Sequence, residues 1–450
     1  MSWPKFDLGD FPQQTKESWK KKVIADLKGK PYEDLSWEVD KDLILDCMYT
    51  DDEGLEIIRI PARAMQSDTN EWLIHQDFKG LGSKMNAEIL EALKNGVNSI
   101  GFTLSDLHEN PKALDGVYQN MLRLRLDCSI SDFNKSSLKD QIKTLDFSAD
   151  YSAFVLDVFT EKEVSKSLIV NAISEIKNIY SWRLKLNVSV FTEAGFGPVD
   201  ALALAALKLT DLLDLAAEAG VDEKTLYEHL EVELCMGRSY LADVGLIRSM
   251  RAMLNKVLRM WSGDIKAEIP VFIQANSARF NLSRLDAYNG LLRGTIAGMS
   301  ATIGGADAVM IRPFDELWAN SAEALRYARN TQHLLKEESM LDAVQDPMKG
   351  ALIVEKLCAK LLEAGWNKFQ KWSDEGTYLE LLSQGVIENA AEKAAAHLQK
   401  QLDEQSLILL GVNKYSAPHS SLPEMKALEA AAEIKAFRWA EKHESKSEKA

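Results

Sequence analysis

With 450 residues, 46% of them hydrophobic and 27% charged, the chain can bury a sizeable core and is too apolar to stay unfolded. A formal charge of −15 weighs against nucleic acid and anionic membrane as partners, because both need clustered Lys and Arg. No run of about 18 apolar residues offers a membrane span, and "MSWPKFDLGDFPQQTKESWKKK" lacks the apolar centre of a signal peptide.

The four cysteines, Cys47, Cys128, Cys235 and Cys358, form no C-x-x-C pair and read as reduced thiols in a cytoplasmic protein. In chain order, residues 1–65 are polar with scattered rings, including Trp3, Phe6, Phe11, Trp19, Tyr32 and Trp37. Such a segment cannot close its own core, so it reads as an arm that wraps another surface. "KGLGSK" at 79–84 lacks the third glycine of a dinucleotide fingerprint and reads as a turn into a helix. From about 99 to 312, eight short apolar runs alternate with helical patterns: "SIGFTLS", "MLRLRLDCSI", "IKTLDFS", "SAFVLDV", "LKLNVSV", "HLEVELCM", "IPVFIQA" and "DAVMIR". Between them, "VDALALAALKLTDLLDLAAEAG" carries helical periodicity and closes on Gly220.

Eight βα units predict an α/β fold, a (β/α)8 TIM barrel, over 66–340; a doubly wound open sheet is the alternative. Residues 341–450 are almost wholly helical in pattern and read as a C-terminal extension ending in a polar stretch, "EKHESKSEKA", that frays.

The usual signatures of chemistry are missing. The chain contains no G-x-x-x-x-G-K-[ST], no G-x-S-x-G and no H-E-x-x-H, and its seven histidines show no spacing that brings two imidazoles to one metal. His333 reads as a packing residue and Glu337-Glu338 as a solvated helix face. The break at Asp346-Pro347 reads as the stop of a helix from Ala328 to Met340, since proline supplies no N–H.

A longer set of segments carries a resemblance. "RYARNTQHLLKEES" followed by "VQDPMKGALIVEKL", "TEAGFGPVDALALAALKLTDLLDLAAEAG", "VGLIRSMRAMLNKVLRMW", "SRLDAYNGLLRGTIAGMSATIGGADAVMIRPFDE" and "LGVNKY" resemble methylmalonyl-CoA mutases, in family order, from about residue 10 to 416. The resemblance implies a TIM barrel that threads an acyl-CoA along its axis. It also implies a flavodoxin-like domain that carries adenosylcobalamin over the barrel mouth for a radical rearrangement of methylmalonyl-CoA and succinyl-CoA. The Asp-x-His-x-x-Gly loop of that domain has no counterpart: Asp106-Leu107-His108 has Pro111 where glycine is required.

Positions matched to the family's substrate pocket also depart from it. "WLIHQD" places His75 at an arginine and Asp77 at a tyrosine. Val190 stands at the histidine that hydrogen-bonds the thioester, and valine has no donor. "FIQAN" places Phe272, Gln274 and Asn276 at an arginine, a histidine and a glutamine. The resemblance therefore implies a vestigial pocket in a non-catalytic small subunit, with a large catalytic subunit as its heterodimeric partner and holder of adenosylcobalamin. The alternative is a barrel-only subunit, of the isobutyryl-CoA mutase type, served by a separately encoded cobalamin domain.

Overall fold

The computed structural model describes residues 15–41, 43–50, 60–65, 67–134, 142, 145–160, 164–263, 269–416, 422–426 and 434–448. A hairpin of β1 (Trp37–Asp40) and β2 (Leu43–Leu45) precedes the barrel strands. These are β3 (Leu73–Asp77), β4 (Ser99–Thr103), β5 (Arg123–Ser129), β6 (Ala153–Asp157), β7 (Trp182–Asn187), β8 (Leu230–Met236), β9 (Phe272–Ser277) and β10 (Ala308–Met310). All eight pair in parallel, and β10 closes on β3, which makes the sheet a barrel and removes the open-sheet alternative.

Seven of the eight expected strands form. The exception is "IKTLDFS", residues 142–148, where Leu145–Ser148 is irregular and residues 143 and 144 lie outside the described part. Its place is taken by "LIHQD", read from the sequence only as a pocket motif. That strand hides its nature because His75 and Asp77 point inward while Ile74 packs outward, leaving too few apolar residues for an alternating signal. Asp106-Leu107-His108 consequently follows the second barrel strand, β4.

The helix Pro198–Glu218 starts with proline at its first turn and is buried along nearly its whole length, Asp200, Lys208 and Asp211 included. The barrel lies on one side and the helix Leu352–Glu375 on the other. Its one buried cation, Lys208, donates to Asn187 O at 3.2 Å and sits over the rings of Phe159, Tyr378 and Phe191 at 5.0, 5.3 and 5.6 Å.

Within residues 1–65, Thr15 caps a helix Lys16–Asp26, and the hairpin docks on the start of the Pro198–Glu218 helix. There Asp40 Oδ2 accepts the Val199 N–H at 3.3 Å. Gly197 allows this approach, since a Cβ there would come within 2.0 Å of the same carboxylate. Trp3, Phe6 and Phe11 lie outside the described residues.

Two C-terminal expectations change. The helix Ala322–His333 passes into a π-turn at Leu334–Glu338 and is capped at Ser339, with Met340 at φ 51° just beyond, well before Asp346-Pro347. Asp346 instead receives Arg248 Nη1 at 2.5 Å. The polar end also docks: Glu441–Ser447 is helical, and buried Glu444 accepts from Arg284 and Arg438, so three charges hold what the composition presents as a loose tail.

Candidate functional site

β5, β7 and β8 alternate charged residues with apolar ones: Arg123-Leu-Arg125-Leu-Asp127, Arg183-Leu-Lys185-Leu-Asn187 and Glu231-Val-Glu233. The leucines join the core under the helices. The charges must face the lumen, because β5 and β8 are not neighbours yet Arg123 Nη2 donates to both oxygens of Glu231 at 2.8 Å. Further along the axis, Arg125 Nη2 donates to Glu233 at 2.6 Å, and Lys185 Nζ lies 3.4 Å from the same carboxylate. Arg125 also pairs with Asp127 at 3.0 Å.

The axis is therefore occupied by a buried ionic layer. Burial alone would raise the carboxyl pKa of Glu231, but Arg123, Arg125 and Arg183 outweigh it and hold it down at about 2. Glu233 is depressed too, by Lys185 and Arg125 against burial, and Lys185 is raised despite burial by Glu233 and Asp127.

His75, Asp77, Gln274 and Asn276 all join this layer. His75 is 2% exposed, with Nδ1 2.8 Å from Ser99 Oγ and Nε2 2.9 Å from Asp77 Oδ1. Burial lowers the imidazole pKa, and Asp77 pulls against it. Asp77 itself is held well below the usual carboxylate range, since Lys79, His75 and Arg125 overcome the effect of burial.

Ser99, His75 and Asp77 thus line up in the order of a nucleophile, a base and its orienting acid. Yet Ser99 is fully buried, and its hydroxyl accepts from Arg123 Nη1 at 3.3 Å. Gln274 accepts from Arg123 Nη1 at 2.9 Å and donates to Asn276 at 3.3 Å. Phe272 carries Arg123 and Arg183 over its ring at 4.5 and 5.2 Å. Val190 stands apart, in the short helix Ser189–Glu193 and in the apolar core.

Phe272 itself brings no charge to the lumen. Arg123, Arg125 and Arg183 bring three guanidinium groups into the lumen from other strands, and carboxylates of β5 and β8 engage them. Sequence reasoning passed over these residues. The signal was the complementary alternation of "RLRLD", "RLKLN" and "LEVEL", which is legible only once the strands are known to curve around one axis.

The barrel mouth at the strands' C-terminal ends is covered as well. Cys235, Ala278, Phe280 and Leu285 pack with Leu398, Leu402, Leu409, Val412, Trp439 and Ala440. The Trp439 ring lies on Phe280 at 4.8 Å and the Trp439 backbone N–H donates to Phe280 O at 2.9 Å, while the Phe437 backbone N–H reaches Glu193 O at 2.8 Å. Asp106, in the one Asp-x-His sequence, is a structural cap: it accepts the Gly80 N–H at 2.7 Å and closes a capping box with Thr103. His108 lies on that short helix, Leu104–Glu109. Among the described residues, no group of three or more His, Cys, Asp and Glu is arranged to hold a metal.

The family model described as methylmalonyl-CoA mutase matches residues 171–450. The chain belongs to the methylmalonyl-CoA mutase family. It is 25% identical over 448 residues to the methylmalonyl-CoA mutase small subunit of Porphyromonas gingivalis (strain ATCC BAA-308 / W83), an alignment covering 91% of this chain and 71% of that one. To the small subunit of Streptomyces virginiae it is 24% identical over 478 residues, covering 95% and 76%. To the large subunit of Streptomyces virginiae it is 24% identical over 478 residues, covering 92% and 64%. Methylmalonyl-CoA mutases as a family are isomerases that depend on cobalamin. In this barrel Arg123, Arg125, Lys185, Glu231 and Glu233 stand on the axis, and the Val190 side chain carries no hydrogen-bond donor.

Proposed function

We propose that this chain is a non-catalytic small subunit of a heterodimeric methylmalonyl-CoA mutase. It supports a large subunit that holds adenosylcobalamin and interconverts methylmalonyl-CoA and succinyl-CoA. The observation that carries the proposal is the Arg123–Glu231 pair with its flanking charges, which occupies the line along which a catalytic barrel of this family would thread an acyl-CoA. Displacing it would strand several buried charges, each at a cost of several kcal/mol.

The covered mouth counts against a barrel served by a separate cobalamin domain, because Trp439 and its neighbours lie where such a domain would sit. Residues 1–65 act in this proposal as an arm toward the large subunit, residues 66–340 as the barrel and residues 341–450 as its helical cover. His75, Asp77, Val190, Gln274 and Asn276 are vestiges of a pocket. The complex belongs in the cytoplasm: the four cysteines are free thiols, as a reducing compartment keeps them. Among the described residues no helix is long and apolar enough to cross a membrane.

Co-expression with the large subunit tests this proposal. A one-to-one complex with mutase activity, alongside an isolated chain that neither turns over methylmalonyl-CoA nor retains hydroxocobalamin on gel filtration, is the expected result. Turnover by this chain with a free cobalamin-binding protein, and no large subunit present, would overturn it.

A further inference from the structure

Residues 434–448 cross the barrel mouth as a strap with a narrow hold on what lies beneath. Lys435, Ala436, Glu441, Lys442 and residues 445–448 are exposed. Ile434, Trp439 and Ala440 are its buried apolar side chains, and Phe437 is half-buried. Two backbone N–H groups tie it to the barrel, Phe437 to Glu193 O at 2.8 Å and Trp439 to Phe280 O at 2.9 Å.

The rest of the hold is ionic and converges on one carboxylate. Glu444 is 1% exposed and accepts from the Arg284 backbone N–H at 2.9 Å, from Arg284 Nε at 3.0 Å and from Arg438 Nη2. Arg284 spreads its remaining nitrogens over Pro423 O at 2.9 Å and Glu448 at 2.7 Å. Arg438 Nη1 is buried without an acceptor, so Arg438 depends on Glu444 for its compensation. A buried acid shared by two guanidinium groups is costly to lose, because the cations left behind must reach water. Here they can do so if the strap lifts, with no need for the barrel to unfold.

We propose that residues 434–448 form a lid over the barrel mouth that opens as one unit, with Glu444 as its latch. Opening separates Trp439 from Phe280 and bares Cys235 and Glu193. Glu193 lies at the joint: its backbone oxygen holds Phe437, while its carboxylate accepts from Cys235 at 3.2 Å and from the Arg279 N–H at 2.9 Å. A segment with few buried apolar contacts opens at a lower free energy than the whole fold, whereas the strands beneath belong to a closed ladder and open only with it. The lid is a property of this chain alone and does not depend on the small-subunit reading.

Native-state hydrogen exchange of the full chain in sub-denaturing urea tests the lid. The Phe437 and Trp439 amides are expected to exchange together, on the order of a hundredfold faster than the amides of β8 and with little dependence on urea, since the opening exposes little surface. Alkylation of Cys235 by iodoacetamide, read by mass spectrometry of its peptide, is expected to report the same opening. Glu444→Gln should speed both processes about tenfold or more and leave the β8 amides unchanged. If that variant melts early, the urea dependence in the wild type decides alone. Exchange of Phe437 and Trp439 only in step with β8 would overturn the lid. Equal exchange and alkylation rates in wild type and a well-folded Glu444→Gln would overturn the latch.

Discussion

Arg123 and Glu231 meet across the interior of the barrel, from strands three places apart, with one guanidinium nitrogen 2.8 Å from both carboxylate oxygens. This contact makes the lumen a packed ionic layer. It also makes Glu231 the single acid against which Arg123, Arg125 and Arg183 are all balanced.

Removing Glu231 should therefore cost more than losing one ion pair. Glu231→Gln keeps the shape and leaves buried positive charge uncompensated, a change worth about 3–5 kcal/mol. The double variant Arg123→Met/Glu231→Leu should recover part of that loss, because an apolar pair needs no desolvation. Urea unfolding of Arg123→Met, Glu231→Leu and the double variant, each against wild type, gives the coupling directly.

The same acid predicts an acid limit. The folded-state pKa of Glu231 is held at about 2, below its ordinary 4.5, so its contribution is complete above about pH 4.5 and is lost as the pH falls toward 2. Stability measured between pH 5 and pH 2.5 should drop steeply in the wild type. It should drop by a shallower slope in Glu231→Gln, which has no proton to take up there.

Asp243 acts in the opposite sense. It is buried beneath the barrel mouth with its carboxylate accepting the Gly237 N–H at 2.7 Å, and burial pushes its pKa from 3.8 up to about 7. Ionising it costs the folded state, so its unfavourable contribution grows as the pH rises from about 4 to 7 and is complete above that. Asp243→Asn should raise the melting temperature at pH 8 and leave it nearly unchanged at pH 4, as calorimetry at the two values would show.

The cover over the mouth predicts a chemical reporter. Trp439→Ala removes the ring lying on Phe280 and should cost about 3–5 kcal/mol. It should also open a path to Cys235, whose thiol is buried in the same cluster and donates to Glu193 at 3.2 Å. Reaction with a disulfide reagent should then titrate two cysteines quickly, Cys235 and exposed Cys47, where the wild type offers Cys47 alone. A reaction profile unchanged from wild type would count against the cover.

Gly197 should tolerate no side chain. Gly197→Ala sets a methyl group against the Asp40 carboxylate and should lift the β1–β2 hairpin from the start of the Pro198–Glu218 helix. Limited proteolysis should then cut the chain within residues 37–45 at a protease concentration that leaves the wild type intact.

Local sequence was sufficient for much of this molecule. Seven strands and the long helix with its proline start are written in short-range periodicity, because each must present apolar residues to the layer of helices around the barrel, and the likeness to a barrel family is carried by segments such as "TEAGFGPVDALALAALKL". The tertiary structure alone decided the rest. β3 lacked an apolar pattern because its polar side chains face the lumen, and the docking of the charged tail depends on Arg284 and Arg438 around Glu444. The meaning of "RLRLD", "RLKLN" and "LEVEL" was likewise hidden, since a charge in a strand is costly or neutral according to what stands opposite it. In a closed barrel the opposite residue lies about 100 positions away in sequence, as Arg123 and Glu231 do, 108 residues apart.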